Sequence, residues 1–260
     1  MTSTLGKFGI TADDSLDLAQ DPTTHSQWVL RVRYAKGSYA GSGGHRGAQF
    51  YGTPSTLTSH SYTTLTLEYE VYFLSPFDWV NGGKLPGLWG GTRDCSGGRI
   101  QDSCFSTRLM WRTHGDGEVY AYVTHDQENG FKNWCAKYDH SNTPTYKHVH
   151  CTNSTGIEMG TSAWRFRTNH WHKIRQEVHL NANPGQKGYI KLWVDGHAEV
   201  HVTDVIMRNN TAFAIDGLLF STFFGGNKTS FASTDVRFSY FKNFRISTDT
   251  MAPSITELVG

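Results

Sequence analysis

The stretch YTTLTLEYEVYFL, residues 62–74, decides the fold class because apolar and polar side chains alternate along it with a period of two. One face carries the apolar side chains Leu65, Leu67, Tyr69, Val71 and Phe73. The other face carries the polar side chains Thr64, Thr66, Glu68 and Glu70. Successive side chains of a strand point to opposite sides, so this pattern predicts a β-strand with one buried face.

The same alternation recurs along most of the chain. It predicts further strands at Trp28–Tyr34, Phe105–Arg112, Glu118–Thr124, His172–Leu180, Tyr189–Asp195, His197–Val202, Leu218–Phe224 and Val236–Ile246. Asp195-Gly196 is a strong two-residue hairpin signal. Helical periodicity is almost absent. We therefore expect an all-β fold, a β-jelly roll sandwich of two antiparallel sheets with a concave groove. We expect Phe77–Cys104 and Gly130–Trp171 to be loops around that groove.

Composition and charge limit the organisation of the chain and its partners. A length of 260 residues with 27 glycines fits one β domain over 1–260, in which 1–27 are weakly patterned. The net charge of +1 lacks the basic field that nucleic-acid binding requires, so an acidic ligand would need local cations. No apolar run reaches the length of a membrane span. We expect a monomer without nucleic-acid or membrane partners.

Cysteines and glycosylation sequons indicate an extracellular protein. Four cysteines allow three disulfide pairings, of which Cys95–Cys104 with Cys135–Cys151 closes the shortest loops. Sequons begin at Asn153, Asn209 and Asn227. The N-terminal segment has no apolar core of the kind a signal peptide carries, so we expect secretion with Met1 in place of a removed leader.

The stretch from Gly82 to Val123 concentrates the candidate chemistry. It reads GGKLPGLWGG (82–91), CFSTRLMWR (104–112), a turn, and EVYAYV (118–123). Ser106 and Arg108 share one strand face, and Tyr120 and Tyr122 share one face of the next strand. These faces meet only if paired residue numbers sum to an even value, which requires an odd-length loop. We expect the loop His114–Asp116 or Thr113–Gly117, with Arg108 opposite or near Tyr122 and Lys84 arriving from a loop.

The spacing of these five residues, within KLPGLWGG and STR…YAY, resembles polysaccharide lyase family fourteen, which contains alginate and glucuronate lyases. It is also similar to the fungal glucuronan lyases of family twenty. The segments RYAKGSYAGSGG…GAQFYG (33–52), LWVDG (192–196) and FSTFFGG…YFKNF (220–244) agree with such lyases. The resemblance therefore spans the chain from about residue 28 to 246.

The resemblance implies a jelly-roll enzyme that cleaves β-1,4-linked polyuronates by β-elimination, with polymannuronate-type alginate as first substrate and glucuronan next. Lys84 and Arg108 would neutralise the C5 carboxylate. Tyr120 and Tyr122 would be the acid and base; we assign Tyr122 as the base, although either can fill the role. Ser106 would bind the substrate or hold a tyrosine. The expected binding residues are His45, Gln49, Arg33 and Trp89. The scheme needs no metal or cofactor, although such folds can hold a structural calcium ion.

Several other interpretations compete with this one. Taken singly, Lys84 is typical of a solvated loop lysine and Arg108 of a sheet arginine that pairs with Glu118. Two histidine groups suggest zinc, His148 and His150 beside Cys151, and His170 with His172. Ser106 lacks the GxSxG motif of a hydrolase nucleophile. A glycosidase would need paired carboxylates such as Glu68 with Glu70, or Asp116 with Glu118.

A different class of function is also open. A lectin-like module could keep the jelly roll and bind acidic polysaccharides without catalysis. The set Lys84, Arg108, Tyr120 and Tyr122 favours the lyase, because a protein that only binds has no need for a base and an acid together.

Overall fold

Two antiparallel sheets of seven strands build the molecule, in a computed structural model that describes residues 15–42, 46–58, 60–151 and 156–249. The first, here the outer sheet, has the order β1-β2-β14-β4-β10-β11-β12. Its strands are β1 (Leu16–Gln20), β2 (Trp28–Tyr34), β4 (Thr64–Phe73), β10 (Trp171–His179), β11 (Gly188–Val194), β12 (His197–Val205) and β14 (Arg237–Ser247). This arrangement confirms the predicted all-β class.

The second sheet, here the groove sheet, has the order β3-β13-β5-β6-β7-β9-β8. Its strands are β3 (Ala48–Gly52), β5 (Gly83–Gly91), β6 (Cys104–Trp111), β7 (Gly117–Tyr122), β8 (Val149–His150), β9 (Ile157–Met159) and β13 (Gly217–Phe224). The described residues also form one α-helix, α1 (Phe131–Tyr138). None of the described helices is long and apolar enough to cross a membrane.

Alternation places the core between the two sheets. The face of β4 that carries Leu65, Leu67 and Tyr69 is buried, as the sequence pattern predicts. Opposite it, the groove sheet contributes Leu109 from β6 and Val119 from β7, both fully buried. The opposite faces of β6 and β7 are buried as well, and they carry the polar side chains Arg108 and Glu118 and the tyrosines Tyr120 and Tyr122.

Strand β5 corrects the expectation that Phe77–Cys104 is a loop. The segment shows no alternation because glycines and a proline interrupt its apolar residues. A β-bulge lies between Leu85 and Leu88, where Pro86 cannot donate a ladder hydrogen bond. A Cβ on Gly87 would lie 2.1 Å from the Thr107 carbonyl oxygen, so only glycine permits this close strand pairing.

Three further segments were not anticipated. Strand β1 lies in the weakly patterned start of the chain, and strand β3 was not predicted. The segment 130–171, expected to be a loop, contains α1 and the short strands β8 and β9. Strands of two or three residues carry too little periodicity to be recognised.

The disulfide pairs are Cys95–Cys104 and Cys135–Cys151, as the shortest-loop pairing predicts. The first closes the loop between β5 and β6. The second joins α1 to the residue that follows β8. Both crosslinks therefore hold segments that connect strands of the groove sheet.

Candidate active site

The exposed side of the groove sheet contains a cavity of about 1000 Å³. Its lining includes five of the candidate residues from the sequence: Gln49, Lys84, Arg108, Tyr120 and Tyr122. They come from β3, β5, β6 and β7, which are near or adjacent strands of one sheet. Tertiary pairing thus brings together residues that lie up to 73 positions apart.

In the pairing of β6 with β7 the residue numbers of each pair sum to an even value, as predicted, but the turn between the strands is centred one residue earlier than predicted. Arg108 pairs with Tyr120, and Ser106 with Tyr122, so the turn is centred on His114 rather than on Gly115. His114 adopts a left-handed φ of 63°, and the Arg112 N–H donates to the Asp116 carbonyl at 2.6 Å. All four side chains still share the groove face, because a shift of two residues preserves the face.

Lys84 lies within the sheet and not on a loop. It pairs with Met110 on one side and Phe223 on the other, and its side chain is 7% exposed. Its ammonium nitrogen lies 3.0 Å from the centroid of the Tyr120 ring and contacts the Met110 sulfur. Burial, and next the positive charges of Arg108 and Arg112, hold the Lys84 pKa well below its usual value.

Arg108 is a buried cation without a contacting carboxylate. It is 2% exposed, and one terminal nitrogen donates to the Ser221 hydroxyl at 3.0 Å. Ser221 in turn donates to the Gln49 side-chain oxygen at 3.0 Å. Among the described residues, no hydrogen-bond acceptor meets Arg108 Nε and no carboxylate lies within 4.0 Å of the guanidinium. A buried arginine in this state is suited to an incoming anion.

Arg112 takes the carboxylate that was expected to pair with Arg108. Its guanidinium bonds both Glu118 on β7, at 2.8 Å from Nε, and Glu158 on β9. The sequence interpretation that pairs Arg108 with Glu118 is therefore wrong. One arginine four residues further along the chain compensates both acids, so among the described residues neither Arg108 nor Lys84 contacts a carboxylate.

Tyr120 and Tyr122 lie side by side, with ring centroids 5.6 Å apart. The Tyr122 hydroxyl accepts a hydrogen bond from the Gly98 N–H at 3.1 Å. The Tyr120 hydroxyl accepts one from the Gly156 N–H, also at 3.1 Å. The Arg108 guanidinium carbon lies 5.6 Å from the Tyr122 ring centroid. A backbone donor on each phenolic oxygen fixes its position, and such a donor stabilises negative charge on oxygen.

Ser106 lies beneath the cavity and not in its lining. It is 1% exposed, and its hydroxyl donates to the Cys95 carbonyl oxygen at 2.7 Å. Direct binding of a ligand by this hydroxyl would require that bond to break. The hydroxyl therefore makes neither expected contact, with a ligand or with a tyrosine, and instead bonds the loop that carries Cys95.

The four other expected binding residues lie in four different positions. Gln49 lines the cavity. Trp89 lies on the groove side but packs edge to face on Tyr51, with centroids 4.6 Å apart, and does not reach the cavity lining. Arg33 lies on β2 in the outer sheet, on the face opposite the buried Val32 and Tyr34, so we leave it out of this site. His45 lies outside the described residues.

The sequons occupy different surroundings. Asn227 is exposed and lines the cavity, so a glycan on it would stand at the groove. The Asn209 amide donates to the Asp102 carboxylate at 3.2 Å and to the Thr124 hydroxyl at 3.0 Å. Asn153 lies outside the described residues. Glycosylation at all three remains a prediction.

The histidine and carboxylate alternatives lie away from this chemistry. His172 Nδ1 bonds Asp195 at 2.8 Å while its Nε2 accepts from the Arg167 N–H, so both ring nitrogens are occupied and the His170–His172–Asp195 group is unsuited to a metal ion. His148 and His150 each lie within 3.3 Å of Asp139, and Cys151 is in a disulfide.

The proposed glycosidase pairs are also engaged elsewhere. Glu68 and Glu70 belong to the outer sheet, where Glu68 bonds Arg175 at 3.0 Å. Asp116 bonds Arg165 at 2.7 Å. Neither pair flanks the cavity with two uncompensated carboxylates, which is the arrangement that glycoside hydrolysis requires.

Sequence reasoning missed several residues of the cavity. Arg112, Met110 and Glu158 share its lining, and Ser221 connects Arg108 to Gln49. Arg112 could have been found from its i+4 spacing to Arg108 on the same strand face. Gly98 and Gly156 contribute only backbone N–H groups, which leave no chemical signal in a sequence.

Comparison with known proteins identifies the family of this chain. The profile of the family Polysaccharide lyase 14 matches residues 22–244. The crystal structure of the marine PL-14 alginate lyase from Aplysia kurodai is 40% identical, with a TM-score of 0.78, and the alignment covers 93% of this chain and 90% of that one. No protein of curated function matches the sequence significantly.

More distant structures share the fold alone. Alginate lyase vAL-1 from Chlorella virus is 20% identical, with a TM-score of 0.70 over 93% of both chains. The endo-β-1,4-glucuronan lyase from Trichoderma reesei is 8% identical, with a TM-score of 0.57 over 90% of this chain and 87% of that one. With a family profile over most of its length and a relative at 40% identity, this chain belongs to the polysaccharide lyase 14 family.

Proposed function

We propose that this protein cleaves β-1,4-linked polyuronates by β-elimination, with polymannuronate as the first substrate and glucuronan as the next. The observation that carries the proposal is the juxtaposition of two buried basic side chains, Lys84 and Arg108, with two tyrosines whose phenolic oxygens are fixed by backbone donors. Among the described residues neither basic group contacts a carboxylate, and a purely structural role explains neither this nor the pair of positioned hydroxyls.

Arg108 and Lys84 receive the carboxylate at C5 of the sugar. Removal of the C5 proton delocalises negative charge onto that carboxylate, and cations in a low-dielectric site stabilise it more than water does. A bound carboxylate also favours the charged form of Lys84, whose pKa is lowered in the free protein. The cation pair therefore stabilises the charge that develops in the transition state.

The tyrosines carry the proton transfers. Tyr122 removes the C5 proton as base, and Tyr120 donates a proton to O4 as the bond from C4 to O4 breaks. The electron pair of the C5–H bond forms the C4–C5 double bond, so the products are an unsaturated uronate and a new hydroxyl end. The scheme also works with the roles of base and acid reversed, and single substitutions of Tyr120 and Tyr122 distinguish the two assignments.

The setting of the reaction follows from the same features. An open groove with local cations suits an acidic polysaccharide, and the net charge of +1 confines that attraction to the site. Two disulfides agree with secretion into an oxidising environment. We propose a secreted monomer that needs no cofactor for the elimination.

Ultraviolet absorbance of the unsaturated uronate tests the proposal directly. The protein is incubated separately with polymannuronate, polyguluronate, glucuronan and pectate. We expect a rise in absorbance with polymannuronate and a smaller one with glucuronan. No rise with any of the four, together with detectable binding, would support the carbohydrate-binding module instead.

Arg108→Lys tests the role of the guanidinium. A lysine keeps the charge but loses the planar fork that meets a carboxylate with two donors. We expect kcat/KM to fall about 10- to 100-fold, equivalent to one hydrogen bond to a charged group. Steady-state rates at increasing polymannuronate concentration measure this change. Unchanged kinetics would remove Arg108 from carboxylate recognition.

A further inference from the structure

The loop closed by the Cys95–Cys104 disulfide forms one wall of the cavity. Ser96, Gly97 and Gly98 of this loop line it. The two cysteines are buried and belong to the same side-chain cluster as Met110, Tyr120 and Tyr122. The crosslink therefore belongs to the same packed cluster as the residues proposed to transfer protons.

Two hydrogen bonds connect this loop to the strands beneath it. The Ser106 hydroxyl on β6 donates to the Cys95 carbonyl at 2.7 Å. The Gly98 N–H donates to the Tyr122 hydroxyl at 3.1 Å. Gly97 and Gly98 adopt left-handed φ values of 62° and 84°. Residues with a Cβ atom rarely adopt this conformation, so the path of the loop depends on glycine at both positions. The loop thus has one anchor on the sheet and one donor on the phenolic oxygen.

We infer that Ser106 and the Cys95–Cys104 disulfide are positioning elements for catalysis: together they hold the Gly98 N–H against the Tyr122 oxygen. This inference rests on the proposed lyase function. A flexible loop with consecutive glycines would sample many conformations, and the disulfide and the Ser106 bond reduce that freedom. A fixed donor keeps the phenolic oxygen in place and stabilises the deprotonated form that must be present before the C5 proton is removed.

The second disulfide provides a matched control. Cys135–Cys151 closes a loop with a sequence separation of 16 against 9 for Cys95–Cys104. Its loss should therefore reduce the free energy of unfolding at least as much, since the entropic gain grows with loop length. Neither cysteine lines the cavity. A difference in turnover between the two variants then reports position and not stability.

The experiment compares Cys95→Ala/Cys104→Ala with Cys135→Ala/Cys151→Ala, in the full chain and below the melting temperature of both. We expect the first variant to lose about 10- to 100-fold in kcat with little change in KM, as for one hydrogen bond to a charged group. We also expect the acidic limb of its pH–rate profile to move to higher pH, because a phenolate without its donor forms less readily. The second variant should lose less in kcat and keep the acidic limb, because its crosslink lies near Gly156, which bonds Tyr120, and does not hold the Gly98 donor of Tyr122.

Ser106→Ala extends the test with both disulfides intact. It should lower kcat in the same direction, and combining it with the Cys95 and Cys104 changes should add little, since all three act on one loop. Equal kcat values and pH profiles in all variants would overturn the inference while the parent enzyme remains active. Such a result leaves the proposed function untouched.

A readout independent of turnover completes the design. The protein is labelled with 3-fluorotyrosine, and the ¹⁹F resonance of Tyr122 is identified by its loss in Tyr122→Phe. We expect this resonance to shift or broaden in the Cys95/Cys104 variant and to stay unchanged in the Cys135/Cys151 variant. An unchanged resonance in both would contradict the inference even if no lyase activity were found in the parent protein.

Discussion

Replacement of Tyr122 by phenylalanine should reduce turnover of polymannuronate by about 10³-fold or more, which lies within the range for loss of a positioned acid or base. The hydroxyl is the only group removed, and the ring keeps its place beside Tyr120. The lost bond from Gly98 should lower the free energy of unfolding by about 1 kcal/mol. Initial rates by ultraviolet absorbance and urea unfolding measure the two effects separately.

Tyr72→Phe is the matched control for that experiment. Tyr72 is a buried tyrosine of the outer sheet whose hydroxyl bonds Asn169 at 3.2 Å. It should lose a similar amount of stability and keep full activity. Near-normal turnover in Tyr122→Phe, with turnover abolished in Tyr120→Phe, would transfer the role of base to Tyr120.

Replacement of Lys84 by methionine should lower turnover by about 100-fold or more while raising the free energy of unfolding at neutral pH by about 1 kcal/mol or more. The folded-state pKa of Lys84 lies well below its unfolded value of 10.5. Between these two values the unfolded chain binds a proton that the folded chain does not, so stability rises with pH there. Methionine does not titrate, so the variant lacks this dependence of stability on pH. Its free energy of unfolding should exceed that of the parent most below the folded-state pKa of Lys84, and the difference should disappear above pH 10.5.

Lys242→Met provides the contrasting case in the outer sheet. Lys242 bonds Asp21, a buried carboxylate, at 2.8 Å, and that contact helps to hold the Asp21 pKa below its usual value. Removing Lys242 leaves this charge unpaired, so the free energy of unfolding should fall while activity persists. If Lys84→Met lost stability in the same way, Lys84 would be a structural residue. Urea unfolding from pH 6 to 10 distinguishes the two behaviours.

Alternation of apolar and polar residues was sufficient for the strands that bury only one face. Trp28–Tyr34 was predicted with the bounds of β2, and the predicted strand at Tyr62–Leu74 contains β4. Strand β5 escaped because its four glycines and one proline interrupt any alternation, whereas β6 and β7, which are buried on both faces as well, were predicted. Its recognition would have required knowing that β6 and β13 approach it closely, which is a property of the assembled sheet.

The amino-acid sequence by itself determined the all-β class and the spacing that brings Arg108, Tyr120 and Tyr122 to one face, since these depend on periodicity and distance along the chain. It left three disulfide pairings open, and the structure has the one with the shortest loops. Tertiary structure alone decided that Arg112 takes Glu118 and Glu158, that Lys84 is buried, and that Gly98 and Gly156 donate to the tyrosines. Pairing of charges and the direction of backbone N–H groups depend on which strands and loops become neighbours. That choice is made by packing over the whole sheet and cannot be deduced from any single segment.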